Sequence, residues 1–221
     1  MLVTHLTRMQ VGFVCVAGMD PATGEHIRPV VPGRRIRRDE IHVAGSEIMI
    51  GTELDLGPTT PVPSPPEIED HAFTPSAVTR VREWSASDLR GIVRRHAAPC
   101  LADIFGPELE PDGATASMAV GKGRASLGCL TPAGQVTLSV DAYQKVKLGL
   151  IDIAGPLAVT VADLRLYEAD QKTPDASAIA RLQGALLSDA EIYLSVGLSR
   201  PFAKPGGQLR HWLQINNIHV F

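Results

Sequence analysis

The chain has 221 residues, a formal net charge of −3 and 44% apolar residues, which describe an ordinary globular protein and argue against one that coats nucleic acid non-specifically. It contains neither a signal peptide nor an apolar run near the roughly 20 residues that cross a bilayer, so we expect a cytoplasmic protein without membrane contact. Cys15, Cys100 and Cys129 form no C-x-x-C pair, so we expect no disulfide framework, no metal site and no cofactor.

The first predicted element is a β-hairpin near the start of the chain. Two apolar runs, 12–17 and 27–31, flank the segment Asp20–Gly24, whose composition is typical of a tight turn. Pro29 cannot donate a backbone hydrogen bond, so it restricts the second strand to a sheet edge or a short ladder.

One arginine, Arg28, lies within the second strand of this hairpin. Its planar guanidinium group could bind a phosphate or a carboxylate of a ligand. Alternatively it could form an internal ion pair with Glu69 or Asp70, because charges on strands are often paired inside the fold. Arg8, just before the first predicted strand, allows the same two interpretations.

A basic segment follows the hairpin, with four arginines in the five positions 34–38. Arg34 and Arg35 are candidates for phosphate contact. Asp39 and Glu40 follow at once, so a solvated loop with local charge pairing is the alternative.

The next elements extend to residue 105. We predict a strand over Glu47–Leu56, a stiff connection over Gly57–Pro66 with its five prolines, and a short strand over Ile68–Phe73. Residues 74–105 are the most helical part, with a helix over Ser87–His96 that begins at a serine cap and a short turn over Leu101–Phe105.

The short strand after the prolines carries two acids and a histidine. Glu69 and His71 alternate with Asp70 and could therefore share one face. Such a pair could act in acid–base chemistry, although it supplies too few ligands for a metal.

The second half of the chain returns to strands and turns. We predict a hairpin of Ala125–Leu130 with Gln135–Val140, a helix near Ser177–Ala190 capped by Asp175 or Ser177, and strands over Leu157–Val161, Ile192–Leu198 and Trp212–Ile215. Short strands at this spacing favour two small β-barrels or one mixed barrel, with the helical segment near 74–105 as the join.

Five residues of this half are candidate ligand contacts. Lys122 and Arg124 lie in a flexible basic loop, for which an ordinary turn is the alternative. If the ends of two strands meet, Arg200, His211 and Trp212 offer a cation, an imidazole and an aromatic plane together. Trp212 could equally fill a barrel core.

Several short segments in this order resemble a known family. They are GFVCVAGMD with TGEHIRPV near the start, DIFG at 103–106, ASLG at 125–128, VTVAD at 159–163, LSVGLSRP at 194–201 and WLQINNI at 212–218. Together they resemble the dual OB-containing domain family, in which two OB-fold barrels are fused. The resemblance implies a mainly β protein with a few helices, in which two OB-like barrels are joined by a helical segment.

The same resemblance implies domain bounds. Residues 1–105 would form the first OB-like barrel with the proline-rich connection and the helical segment. Residues 106–221 would form the second OB-like barrel with an inserted helix.

The resemblance also implies a function, which is a binding module for nucleic acid or nucleotides with no catalysis assigned. OB folds bind single strands through a basic groove with aromatic platforms, and no strand here interleaves aromatic residues with cations. A small nucleotide or a defined nucleic-acid end would need fewer platforms. The candidate contacts are Arg8, Arg28, Arg34, Arg35, Lys122, Arg124, Arg200, His211 and Trp212.

Two other functions stay open at this point. One is a small hydrolase or nuclease-like enzyme that uses Glu69 and His71. The other is a protein-interaction module, which would give the chain a protein partner.

Overall fold

The computed structural model describes residues 1–152 and 155–221, which form two curled, half-barrel sheets and three helices. The expected mainly β architecture with a few helices is therefore confirmed. The first part of the chain supplies ten strands, namely β1 (Leu2–Arg8), β2 (Phe13–Met19), β3 (His26–Val30), β4 (Ile36–Arg37), β5 (His42–Val43), β6 (Ser46–Glu47), β7 (Thr52–Asp55), β8 (Thr60–Pro61), β9 (Asp70–Ala72) and β10 (Thr79–Glu83).

Eight of these strands form the first sheet. Its order is β10–β7–β1–β2–β3–β9–β8, with β4 beside β2, while β5 and β6 form a separate two-stranded hairpin. Strands β3 and β9 pair in parallel, with Arg28 opposite Asp70, and the other pairs are antiparallel.

The rest of the chain begins with two helices and forms the second sheet. Its elements are α1 (Ala86–His96), α2 (Leu101–Phe105), β11 (Glu110–Asp112), β12 (Thr115–Ala119), β13 (Leu127–Leu130), β14 (Thr137–Val140), β15 (Val146–Asp152), β16 (Gly155–Val161), α3 (Ala176–Leu186), β17 (Ile192–Leu198), β18 (Phe202–Ala203) and β19 (Leu209–Val220). The order is β11–β12–β19–β16–β15–β14, and β19 also pairs with β17 and β18, while β13 pairs with β17. Short 3₁₀ turns lie at Arg38–Glu40, Pro75–Ala77 and Leu164–Leu166.

Each sheet encloses its own apolar core, and α1 packs where the two sheets approach each other. The apolar face of α1, which is Leu89, Ile92 and Val93, contacts Leu2 of the first sheet and Tyr193 of the second within one cluster. The side chain of Ser85 begins this helix by accepting a hydrogen bond from the Asp88 backbone N–H at 3.2 Å. The predicted helix is thus confirmed, but its cap is Ser85 and not Ser87.

Two predictions about the first sheet need correction. The β2–β3 hairpin is present, yet β1 precedes it, so Arg8 ends a strand and does not lie in front of the first one. Strand β10 falls inside the region 74–105 that was predicted to be the most helical.

The hairpin predicted for the second half is wrong. Strand β13 pairs with β17, and β14 pairs with the following strand β15. The local turn signal between β13 and β14 is overridden because both strands find partners elsewhere in the sheet. Asp175 is the cap of α3, since its side chain accepts from the Ala178 N–H at 2.9 Å.

The two sheets meet along β1, and we call this contact the junction, formed by Thr4, His5 and Leu6 with Ser195, Asn216, Asn217 and His219. The Asn217 side chain accepts from the Leu6 N–H at 2.6 Å and donates to the Leu6 carbonyl at 3.3 Å. The Ser195 hydroxyl donates to the Thr4 carbonyl at 2.8 Å. An amide side chain thus binds β1 much as a neighbouring strand would.

Burial keeps the histidines at the junction neutral. Desolvation lowers the pKa of His219 to about 4, and it lowers the pKa of the adjacent His26 to about 4. It also holds the pKa of His5 well below its ordinary value. The His5 and His26 rings meet edge to face, with their centroids 5.3 Å apart.

Among the described residues, no helix is both long enough and apolar enough to cross a membrane.

Candidate anion-binding cleft

A cleft lies beside the junction and is lined by residues of both sheets. It consists of two adjoining cavities of about 320 and 340 Å³ that share Met9, Cys15, Arg28, Arg35 and Arg200. Arg34 lines one cavity and Arg8 the other. We call this site the arginine cleft and define it by Arg8, Arg28, Arg34, Arg35 and Arg200.

Arg28 lies at the centre of the arginine cleft and is only 4% exposed. Its Nε donates to Asp70 Oδ1 at 2.5 Å, so the predicted internal ion pair is formed, and its partner is Asp70 and not Glu69. The buried Nη2 of Arg28 has no hydrogen-bond partner within the described residues. A cation with an unused buried donor retains the capacity to bind an anion.

Arg200 joins the same charged cluster from the second sheet. Its Nη2 donates to Asp70 Oδ2 at 2.8 Å, and its Nη1 lies 2.7 Å from Glu67 Oε2. Asp70 therefore bridges two arginines, one from each sheet, and orients both toward the cavities that they line.

His211 lies behind this cluster and is 1% exposed. Its Nδ1 is 2.9 Å from the Ser199 carbonyl oxygen, which can only accept, so Nδ1 carries the proton. The same nitrogen is 3.9 Å from Glu67 Oε1. His211 therefore lies near Glu67, the partner of Arg200, but it contacts this cluster from inside the protein and does not line the cleft.

Arg8 is held on the other side of the cleft by contacts that fix its plane. Its guanidinium carbon lies 3.8 Å from the centroid of the Tyr167 ring, and Nη1 donates to the Gln171 carbonyl at 2.9 Å. The buried Nε of Arg8 has no partner within the described residues. Arg8 is thus a second rigid cation with an unused donor.

The basic segment 34–38 divides into two parts. Arg34 and Arg35 line the cleft and are exposed, with Arg34 paired to Glu40 at 2.7 Å and Arg35 bonded to the Gln10 side chain. Arg37 pairs with Asp39 at 2.9 Å outside the two cavities. The alternative of local charge pairing is therefore present at Arg34 and Arg37, while phosphate contact by Arg34 and Arg35 stays a prediction.

The balance of charge distinguishes this cleft from the rest of the molecule. Five arginines line the two cavities, and no carboxylate does so among the described residues. Asp70 and Glu67 lie behind Arg28 and Arg200, so they orient these cations without occupying the cavities. The Cys15 thiol also lines the cleft, and desolvation raises its pKa, so it stays protonated at neutral pH.

Glu69 and His71 have separate partners. The Glu69 carboxylate accepts from the Ser126 N–H at 2.7 Å, from the Ser126 hydroxyl at 2.8 Å and from the Leu127 N–H at 3.0 Å. These bonds attach β9 to the start of β13. His71 Nδ1 lies 3.3 Å from the Thr59 hydroxyl. Glu69 is thus explained by its role in the fold.

Besides His211, three of the candidate contacts do not line the cleft in the part of the chain that the structure describes. Lys122 is exposed elsewhere, and Arg124 donates to carbonyl oxygens at the end of α2, at 2.5 Å from that of Asp103. Trp212 is 8% exposed, with the Lys204 ammonium 3.4 Å above its ring and Phe202 tilted against it at 5.8 Å. Its ring is therefore covered.

Sequence reasoning missed Phe202, Gln214 and Asn216, which line the cavity on the side of the second sheet. Phe202 is 48% exposed and follows Arg200 closely in the chain. The alternation of Gln214 and Asn216 within an apolar strand was an available signal, because polar residues spaced by two lie on one face of a strand.

No group of three or more His, Cys, Asp and Glu side chains is placed to hold a metal ion within residues 1–152 and 155–221.

Comparison of the chain with protein-family models, with curated proteins and with solved structures finds no match in any of the three.

Proposed function

We propose that this chain is a binding module for a phosphate-bearing ligand, either nucleic acid or a nucleotide, held in the arginine cleft. The supporting observation is that five arginines from two sheets line adjoining cavities without a carboxylate. The guanidinium group matches phosphate oxygens in a bidentate geometry and stays charged at all physiological pH values. No catalytic step is assigned.

Two of these arginines have buried donors without partners, which is the reason to regard the cleft as a ligand site. An unpartnered buried donor on a charged group is expensive, so native structures rarely retain one without a use. Arg28 Nη2 and Arg8 Nε both have this property within the described residues. A phosphate oxygen that reaches either donor would supply the missing acceptor.

The proposal extends to the identity of the two sheets. We interpret them as OB-like barrels of the dual OB-containing domain family, with the helices α1 and α2 as the connection. The support is the order of the resembling segments together with two separate, strongly curved sheets. A protein with this architecture would present ligands to the barrel faces, and the cleft lies where two such faces adjoin.

The test uses Arg35, which is exposed, because removal of Arg28 would deprive Asp70 of a buried partner and could unfold the protein. Inorganic tripolyphosphate, adenosine triphosphate and a 12-nucleotide oligothymidylate are titrated by calorimetry at 50 and 200 mM salt. We expect salt-sensitive binding of at least one probe, and a loss of about tenfold or more in affinity for Arg35→Ala, since a charged hydrogen bond contributes about 1.5–3 kcal/mol.

Arg37→Ala is the matched control, because Arg37 lies two positions away and outside the cleft. It should leave the affinity unchanged. The proposal fails if no probe binds in a salt-sensitive manner, or if the two variants weaken binding equally.

A further inference from the structure

The two cavities of the arginine cleft share their cations but differ in their other side chains. Arg28, Arg35 and Arg200 line both cavities, while Arg34 lines only the first and Arg8 only the second. The second cavity is also lined by Phe202, Gln214 and Asn216, which are absent from the first. Arginines are therefore present throughout the cleft, and an aromatic ring and amides are added in one cavity.

The Phe202 side chain packs against Trp212 and is partly exposed to the cavity. Its ring lies 5.8 Å from that of Trp212, and the Trp212 Nε1–H donates to the Phe202 carbonyl at 3.0 Å. With 48% of its surface exposed, the Phe202 side chain lines the cavity and can receive a flat ring. A fixed aromatic face of this kind stacks on any nucleobase.

Gln214 and Asn216, which line the cavity with Phe202, are joined by hydrogen bonds that continue to His5. Gln214 Nε2 donates to Asn216 Oδ1 at 2.8 Å, and Asn216 Nδ2 is bonded to His5 Nδ1 at 2.9 Å. Gln214 therefore uses one of its two N–H donors inside the protein, and its carbonyl oxygen Oε1 is an acceptor that a ligand in the cavity could use. An acceptor next to a stacking ring suits the polar edge of a base or a sugar hydroxyl.

The size of the site favours one nucleotide over a strand. Proteins that bind single strands offer successive aromatic platforms along a groove. Among the described residues that line the two cavities, Phe202 is the sole aromatic. Cavities of about 320 and 340 Å³ fall in the range of small-ligand sites, which begins at about 300 Å³.

We infer that the arginine cleft takes a free nucleotide, with its base on Phe202 beside Gln214 and its phosphates between Arg28 and Arg35. This inference rests on the proposed function and names its ligand class. The base would then lie in the cavity that contains Phe202, and the phosphates would lie against the arginines that line both cavities.

The experiment compares adenosine triphosphate with tripolyphosphate, which carries a similar phosphate chain and no base. Base stacking contributes about 1–3 kcal/mol, so the nucleotide should bind about 5- to 150-fold more tightly than tripolyphosphate. Phe202→Ala should remove this difference and leave the affinity for tripolyphosphate unchanged. Phe202→Trp should restore the difference in affinity, because tryptophan also provides a stacking face. If the Phe202 ring served only the fold, this substitution would not restore the difference.

Tyr143→Ala is the control for removal of an exposed aromatic residue, since Tyr143 is 84% exposed and outside the cleft. Equal affinities for both probes, with no effect of Phe202→Ala, would overturn the inference while the proposed function stands. A 12-nucleotide strand that binds more than about tenfold more tightly than the nucleotide would also overturn it. The absence of salt-sensitive binding by every probe would remove the proposed function itself.

Discussion

At the junction the two sheets are joined by neutral polar groups, whereas at the arginine cleft the same two sheets present charged ones. The junction pairs backbone groups of β1 with Asn217 and Ser195, and the groups left without a partner, Thr4 Oγ1 and His5 Nε2, are neutral. In the cleft the unpartnered donors belong to the cations Arg8 and Arg28.

This difference separates a contact that serves the fold from one suited to binding. An unsatisfied neutral group costs about 1–3 kcal/mol, and a charged one costs more. At the junction, neutral groups make most of their hydrogen bonds within the protein. They hold the two sheets together and have few free donors or acceptors for a ligand. Charged groups that are partly paired are oriented by the protein and still able to bind.

Acid should have the largest effect on the free energy of unfolding, because it favours protonation of the histidines at and beside the junction. The pKa of His26 and of His219 is about 4 in the folded protein, against 6.5 for an ordinary histidine. The unfolded chain therefore binds more protons between these pH values, so stability is complete above pH 6.5 and is lost as the pH falls toward 4. The loss should reach about 3 kcal/mol for each histidine.

Urea unfolding at pH 7.5, 6.5, 5.5 and 4.5 measures this effect. His219→Gln should reduce the slope of stability against pH, while the exposed His42→Gln should not. A free energy of unfolding that stays level between pH 6.5 and 4.5 would contradict the assignment of neutral histidines to the junction.

The second prediction separates stability from binding in the cleft. Asp70→Asn removes the carboxylate that bridges Arg28 and Arg200, so it should lower the free energy of unfolding by about 3 kcal/mol. The same change makes the cleft more positive by one charge, so tripolyphosphate should bind several-fold more tightly to the folded variant. Urea unfolding and calorimetric titration in one buffer measure both quantities.

Asp189→Asn changes the net charge equally at an exposed position and serves as the control. It should alter neither quantity. If Asp70→Asn weakens tripolyphosphate binding to the folded protein, the orientation that Asp70 gives to Arg28 and Arg200 outweighs the gain in positive charge, and the prediction is wrong.

The smallest expected effect is that of Asn217→Ala in the junction. It removes the partner of the Leu6 N–H and carbonyl, so we expect a loss of about 2 kcal/mol in the free energy of unfolding. Binding to the folded fraction should stay unchanged, in contrast to Asp70→Asn. The exposed Gln135→Ala is the control, and equal destabilisation by both variants would show that Asn217 does not join the sheets.

Much of the fold could be predicted because local patterns controlled it. The β2–β3 hairpin follows from its turn, and α1 from the spacing of Leu89, Ile92 and Val93. Strand β1 was missed because it is buried on both faces and carries the polar residues Thr4 and His5, so it lacks the alternation typical of a strand.

Part of the candidate site could also be predicted, because its arginines are easily recognised in the sequence. Arg8, Arg28, Arg34, Arg35 and Arg200 are conspicuous cations, and the structure brings all five to one cleft. Sequence alone could not show that Arg124 binds helix carbonyl oxygens or that the Trp212 ring is covered. The partners of Arg124 lie 20–22 positions away, and Phe202 lies 10 positions from Trp212, but no local sequence pattern specifies these contacts.

The bond between Leu6 and Asn217 joins residues that are 211 positions apart in the chain. Contacts of such long range must overcome the entropy of closing a very large loop, and chains rich in them fold slowly. We therefore expect the contact between β1 and β19 to form late in folding. The arginine cleft contains residues of both strands, so it is complete only after Asn216 of β19 has been synthesised.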